Sequence, residues 1–257
     1  MTSSVPGSAQ VTRWLELEGC FNFRDLGGYA AGGGGQVGWQ RLFRADGLHR
    51  LTDADLEVLG DIGIATVIDL RSADEVERLP GRRPASVLAH HHFPVIDLLP
   101  DPDSYTAWVD PKFVTAHYLD MLEYGAESYR QALEILCQAS SYPAVFHCAV
   151  GKDRTGVLAA VVLGLLGVDA ADIAADYAQS EPAMRAVVER MREVAPDQLT
   201  PGRLAALSAA DASIMEGLVE GVAQRYGSFE GYARRLGVTD AAVGLRRVLL
   251  EDSPGAP

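Results

Sequence analysis

Cysteine is scarce: Cys20, Cys137 and Cys148 are the only three in 257 residues. So small and odd a set excludes a disulfide framework as the main source of stability, favours a reducing compartment and leaves at least one thiol free. Basic residues are also few. Lys plus Arg number 22 against 35 Asp plus Glu, for a net charge of −13. That balance argues against a general nucleic-acid or anionic-membrane binder while leaving room for a local basic pocket. Nothing approaches the roughly 18 apolar residues that span a bilayer, and residues 1–10 have neither the basic nor the apolar region of a secretory signal. The chain therefore reads as cytoplasmic, or as exported without a recognisable signal. It has no solenoid-type repeat, and its 48% hydrophobic composition suffices for one large core.

Residues 1–10 are small and polar, and 252–257 carry Ser, Gly and Pro without periodicity, so both read as disordered tails around a domain spanning 11–251. The run Ala30-Ala31-Gly32-Gly33-Gly34-Gly35 cannot hold a helix and reads as a hairpin or surface loop. After it the chain alternates. Arg41–Arg44 reads as a strand, Thr52-Asp53-Ala54-Asp55 as the start of a helix carrying Leu56, Leu59 and Ile62, and Ala65–Leu70 as an apolar strand. Strand, helix, strand is the unit of parallel sheets. Ser86–Val95 and Pro143–His147 add two strands, with helical patterns over Phe113–Leu122 and Ser128–Cys137 between them. Beyond Arg154 the pattern is helical to the end. Val157–Leu163 is apolar on every face, which predicts a buried helix stopped by Gly167. Asp169–Ala178, Pro182–Glu193, Ala210–Tyr226, Phe229–Leu236 and Asp240–Leu250 follow at helical spacing.

The strongest chemical signal lies where the last strand meets that buried helix: His147-Cys148-Ala149-Val150-Gly151-Lys152-Asp153-Arg154-Thr155-Gly156. A loop leaving a strand and entering a helix turns backbone N–H groups inward, and the helix N-terminus adds about half a positive charge. A dianion bound by Ala149, Val150, Gly151, Lys152, Asp153 and Arg154 would sit within reach of the Cys148 sulfur. Arg154 supplies a planar fork that matches two phosphoryl oxygens, which lysine cannot do. The same cradle favours Cys148 as a thiolate nucleophile. Thr155 can donate to the sulfur, and His147 fixes loop geometry rather than moving protons. The competing reading, a Cys buried at the end of an apolar strand, is outweighed by Cys, Gly, Arg and Thr all falling at useful spacing. For Cys20 and Cys137 it prevails.

Cys148 to Arg154 is the C-x5-R signature, and with Asn22-Phe23-Arg24-Asp25, Arg41-Leu42-Phe43-Arg44, Asp69-Leu70-Arg71-Ser72, Asp176-Tyr177 with Ser180, Tyr226-Gly227-Ser228 and Gly231-Tyr232 the chain resembles the cysteine-dependent protein tyrosine phosphatase superfamily, within it the bacterial tyrosine/lipid phosphatases. The resemblance implies an α/β fold: a single domain with a short, mainly parallel central sheet flanked by helices, the phosphate loop between a central strand and a buried helix, and a helical C-terminal part with a candidate lid. It implies hydrolysis of phosphate monoesters through a cysteinyl-phosphate, on phosphotyrosine protein or phosphoinositide substrates. No cofactor is implied. A silent phosphate-binding module and a sulfur transferase using the same cysteine loop are the alternatives.

Three aspartates compete to protonate the leaving oxygen. The resemblance ranks Asp153 first, inside the loop, and Asp97 second; Asp110, in Trp108-Val109-Asp110-Pro111, is third and has an ordinary helix cap as its competing reading. Lys152 adds a second cation, as in loops of phosphoinositide phosphatases, unless it is a solvated lysine on the rim. Arg24 and Asp25 are expected to brace the loop from behind. His90-His91-His92 suggests a metal, yet strand alternation separates the middle ring from its neighbours and no second ligand cluster accompanies them, so no metal is expected. In the resembling group a pair of helices covers the site. Here the amphipathic stretch from Ser180 to Gly221, with Pro182, Met184, Val187, Met191, Leu199, Leu204 and Leu207 on its underside, would form that lid or pack permanently as core.

Overall fold

The computed structural model describes residues 12–95, 107–194, 200, 204, 207 and 210–251. The two tails, Asp97 and Leu199 lie outside the described residues. Five strands form the central sheet: β1 (Arg24–Asp25), β3 (Leu42–Ala45), β6 (Ala144–His147), β4 (Thr66–Asp69) and β5 (Ala89–His92), in that spatial order. Only β1 runs antiparallel to its neighbour; β3, β6, β4 and β5 are mutually parallel. A separate ribbon pairs β2 (Gln36–Val37) with β7 (Leu250–Glu251) and fastens the end of the helical region beside the glycine-rich loop.

Strand residues alternate between two cores, as period-two side chains require. Phe43, Ala45, Val67 and Val145 face a small core closed by Phe23 and by Leu59 of α1 (Asp53–Ile62). Leu42, Ile68, Ala144 and Phe146 face the large core. There lie α3 (Pro111–Tyr124), α4 (Ala126–Leu136), α5 (Asp153–Leu166), α6 (Ala170–Ala178), α8 (Ala212–Tyr226), α9 (Phe229–Arg235) and α10 (Ala241–Leu249). The all-round apolar helix is α5: every residue from Arg154 to Leu163 is buried, and Gly167 ends it in the left-handed conformation.

Several elements differ from the sequence expectation. The strand expected over Ser86–Val95 is regular only over Ala89–His92; Phe93 and Val95 still donate to Asp69 and Leu70, but Pro94 between them has no N–H to give. Helix α2 (Ala73–Arg78), unexpected from periodicity because none of its residues is buried, is set by a capping box in which the Ser72 hydroxyl accepts from the Glu75 amide and the Glu75 carboxylate accepts from the Ser72 amide. The glycine-rich run is a hairpin loop bridged from Ala30 to Gln36, and its Gly32 amide donates to Leu166 at the end of α5. Helix α7 (Ser180–Val194) stands apart from both cores. Its buried Ala183, Met184 and Val187 form a satellite cluster with Trp14, Phe21, Met191 and Val150 of the phosphate loop.

Candidate active site

The loop after β6 sits at the carboxyl edge of the central strand of the sheet, the place where open α/β sheets hold ligands. Its carbonyls are all turned outward and used. His147 Nδ1 lies 3.2 Å from the Cys148 carbonyl. Gly47 N donates to Ala149 O at 3.0 Å, Asn22 Nδ2 to Val150 O at 3.1 Å, and Arg44 Nη2 to Gly151 O at 2.7 Å. Gly156 N takes Lys152 O as α5 begins. With the carbonyls committed, the amides of Ala149, Val150 and Gly151 make no hydrogen bond among the described residues. Amides left without a protein acceptor ahead of a helix N-terminus are the donors that an anion site needs. Gly151, at φ +68°, passes so close to β3 that a Cβ there would lie 2.5 Å from the Ala45 carbonyl oxygen. Only glycine fits.

Beneath the loop lies a buried ion network. Asp176 on α6 takes Arg24 Nε at 3.1 Å and Arg44 Nη1 at 2.5 Å, all three side chains being almost fully buried. Arg24 also donates to the Asp176 carbonyl, Ser180 Oγ and Asn22 Oδ1. Burial alone would raise the Asp176 carboxyl, but the two guanidinium groups hold it well below the carboxylate range. Burial, with Arg44 alongside, lowers Arg24 to about 10, so it stays charged at neutral pH. Asp46 fixes the approach to Asn22 by accepting from the amides of Phe21 and Asn22 and from the Cys20 thiol.

Cys148 is 1% exposed at the base of the cradle. Arg154, on the first turn of α5, places Nη1 at 2.6 Å and Nη2 at 2.9 Å from the two carboxylate oxygens of Glu75. Burial would raise Glu75, and Arg154 overrides it to hold the carboxyl below its usual range. The capping residue of α2 thus aims the arginine fork. Lys152 is 2% exposed, with Nζ 3.6 Å from Asp153 Oδ1, so it is not a solvated rim lysine. Asp153 accepts from Tyr118. Burial brings His147 down to about 4, leaving the ring neutral. Because a carbonyl only accepts, the proton is on Nδ1. Asp69, which faces that ring, would be raised by burial but is pulled down to about 2 by His147, which is protonated in the acid range where Asp69 titrates, and by Arg71.

Two expected supports are arranged differently. The Asp25 carboxylate does not reach the loop: it accepts from Gly27 N at 2.7 Å and Gln40 N at 2.6 Å, bracing the turn behind the glycine-rich run, and burial raises it to about 6. The Thr155 hydroxyl, expected on the Cys148 sulfur, is buried without a hydrogen-bond partner among the described residues. Asp110 caps α3 by accepting from Lys112 N. Of the three acid candidates, Asp153 is thus the one present in the described loop. Among the described residues no three His, Cys, Asp or Glu converge on a metal position, and no helix is long and apolar enough to cross a membrane.

Sequence reasoning gave no site role to Asn22, Arg44, Glu75 or Tyr118, and left Asp176 and Tyr177 between the pocket rim and helix packing. Only Glu75 carries a local signal, the Ser72-x-x-Glu75 box; the others act on residues far along the chain.

A C-x5-R loop with a buried cysteine and an arginine held by Glu75 agrees with what comparison with known proteins returns. The tyrosine phosphatase family model matches residues 15–251. The chain is 33% identical to the triple specificity protein phosphatase PtpB of Mycobacterium tuberculosis, over 91% of this chain and 98% of that one. It is 27% identical to a tyrosine-protein phosphatase of Nostoc commune, over 80% and 73% of the respective chains. The chain belongs to the tyrosine phosphatase family. It is a phosphatase, with phosphorylated substrates.

Proposed function

We propose that the enzyme hydrolyses phosphate monoesters through a cysteinyl-phosphate on Cys148. The observation that carries this reading is the loop itself: carbonyls held by the surrounding elements, three amides with no hydrogen bond among the described residues, a buried Cys148 sulfur, and Arg154 on the first turn of α5 held by Glu75. The Cys148 thiolate attacks phosphorus, the bond from phosphorus to the ester oxygen breaks, and that oxygen leaves with a proton from Asp153. Water then attacks the phosphocysteine, the phosphorus–sulfur bond breaks, and Asp153 takes the water proton as phosphate is released. Arg154 and the loop amides neutralise charge on the equatorial oxygens throughout. Asp97 is second in line as proton donor. A neutral His147 orients the loop without exchanging protons.

Phosphotyrosine is the first substrate, and the buried Lys152 beside Arg154 extends the reading to polyanionic phosphoinositides and to phosphoserine or phosphothreonine. The name of the mycobacterial relative, with its triple specificity, supports that range. Helix α7, with Met184 and Val187 against Val150, is read as part of a lid over the loop mouth.

Release of p-nitrophenol from its phosphate in the presence of a chelator tests the chemistry. Wild type is expected to turn over and Cys148→Ser to be inactive. A wild type with no thiol-dependent release leaves a silent phosphate binder, and sulfur transfer from thiosulfate to cyanide identifies the transferase instead.

A further inference from the structure

Two tyrosines from different helices meet behind the acidic residue of the loop. Tyr118 on α3 and Tyr177 on α6 are both fully buried, where a phenol hydroxyl needs partners. Tyr118 Oη lies 2.5 Å from Asp153 Oδ1 and 2.9 Å from Tyr177 Oη. Each phenol has one proton, and an ionised carboxylate only accepts. Tyr118 therefore spends its proton on Asp153, and Tyr177 donates to the Tyr118 oxygen. The chain runs in one direction. Burial, reinforced by the charge of Asp153, raises both phenols above their ordinary range, so they remain donors wherever the enzyme works.

A cation acts on the same carboxylate oxygen: Lys152 Nζ lies 3.6 Å from Oδ1. Oδ2 accepts no hydrogen bond among the described residues. When Asp153 is protonated, Oδ1 still takes the Tyr118 hydroxyl, and the acidic proton is left to Oδ2. We propose that Tyr118, oriented by Tyr177, is the positioning residue that fixes Asp153 with Oδ2 as its proton-carrying oxygen. This rests on the reading of Asp153 as proton donor.

Local packing supports the arrangement. A Cβ on Gly156 would lie 3.1 Å from Tyr177 Cδ2 and 3.2 Å from Met215 Cε, so the last glycine of the motif is what lets the Tyr177 ring lie against the first turn of α5. One turn of α6 thereby serves both halves of the loop. Asp176 holds the arginines under its backbone, and Tyr177 holds the phenol behind its acid.

The test is kcat/KM of Tyr118→Phe on two aryl phosphates, in wild-type and Asp153→Asn backgrounds. Phenol leaves only with a proton, whereas dinitrophenol leaves without one. Tyr118→Phe is expected to lose about ten-fold on phenyl phosphate, stay within about two-fold on dinitrophenyl phosphate, and add less than about two-fold to Asp153→Asn. Tyr177→Phe should give the same pattern at smaller size and serves if Tyr118→Phe does not fold. Equal losses on both substrates, no loss on either, or full multiplication with Asp153→Asn overturns the proposal. If Asp153→Asn itself treats the two substrates alike, the proton-donor reading fails and takes this proposal with it. If Asp153→Asn discriminates and the tyrosine variants do not, only the positioning role fails.

Discussion

Floor and cover of the phosphate loop are built on opposite principles. Below, Arg24, Arg44 and Asp176 exchange charge-assisted hydrogen bonds in a site closed to solvent and hand their geometry to the loop carbonyls. Above, beyond Ser180, which accepts from Arg24, α7 touches the loop through Val150 and rests on a cluster of three buried apolar residues separate from the main core. A buried network whose charges are paired has few arrangements, because losing any member strands a charge; in this one Arg44 Nε alone has no hydrogen-bond partner among the described residues of the network. A small apolar contact costs little to open. On the proposed mechanism the nucleophile is held from beneath, and the face that would admit substrate is left to the weaker contact.

Removing the centre of the floor should have the largest effect. Asp176→Asn leaves two buried guanidinium groups short of a countercharge, a situation that costs about 3–5 kcal/mol. Urea unfolding should report a loss of that order together with loss of phosphate binding, and a loss below about 1 kcal/mol would reduce the floor to ordinary packing.

Acid should break the floor and spare the cover. Asp69, at about 2 folded against an ordinary 3.8, is depressed by its partners, as is Asp176. Each therefore contributes stability that is present above about pH 4 and lost as pH falls toward the folded value, about 2 kcal/mol for Asp69. Denaturant midpoints should fall through that window. The α7 cluster contains no titratable side chain, so a midpoint that is flat there would place the loop's support elsewhere.

Glu75→Gln sharpens the view of what aims Arg154. It keeps the shape and removes the charge behind two hydrogen bonds of 2.6 and 2.9 Å. With Glu75 partly exposed, the expected loss is about ten-fold in kcat/KM with little change in melting temperature. An unchanged kcat/KM would show that the arginine needs no such partner.

The smallest effect on stability belongs to the cover. Met184→Ser loosens α7 where its side chain is fully buried, and peroxide inactivation of Cys148 should accelerate while urea stability falls by less than in Asp176→Asn. Unchanged inactivation, or a stability loss equal to that of the floor variant, would make α7 a permanent part of the core.

Much of the floor was invisible in the sequence, for a physical reason. The C-x5-R loop, the apolar strand before it and the all-round apolar α5 are local patterns, and each lies where the spacing predicted. Asp176 reaches partners 152 and 132 positions away, and Tyr118 meets Asp153 across 35. Such pairs leave no periodicity to read. Asp25, adjacent to Arg24, was expected to share its role. Successive strand residues point to opposite faces, and Asp25 braces Gly27 and Gln40 instead. Helix α2 buries nothing, so only its capping box marks it.

On the proposed mechanism this floor presents Cys148 as the group that takes the phosphoryl. Rapid mixing with excess p-nitrophenyl phosphate, a denaturing quench and mass spectrometry of the peptide carrying residues 147–154 test it directly. A mass increase of one phosphoryl group on Cys148 is expected, formed within the first turnover and missing from Cys148→Ser. Turnover with that peptide unmodified at every quench time, or the phosphoryl group on another residue, would contradict it.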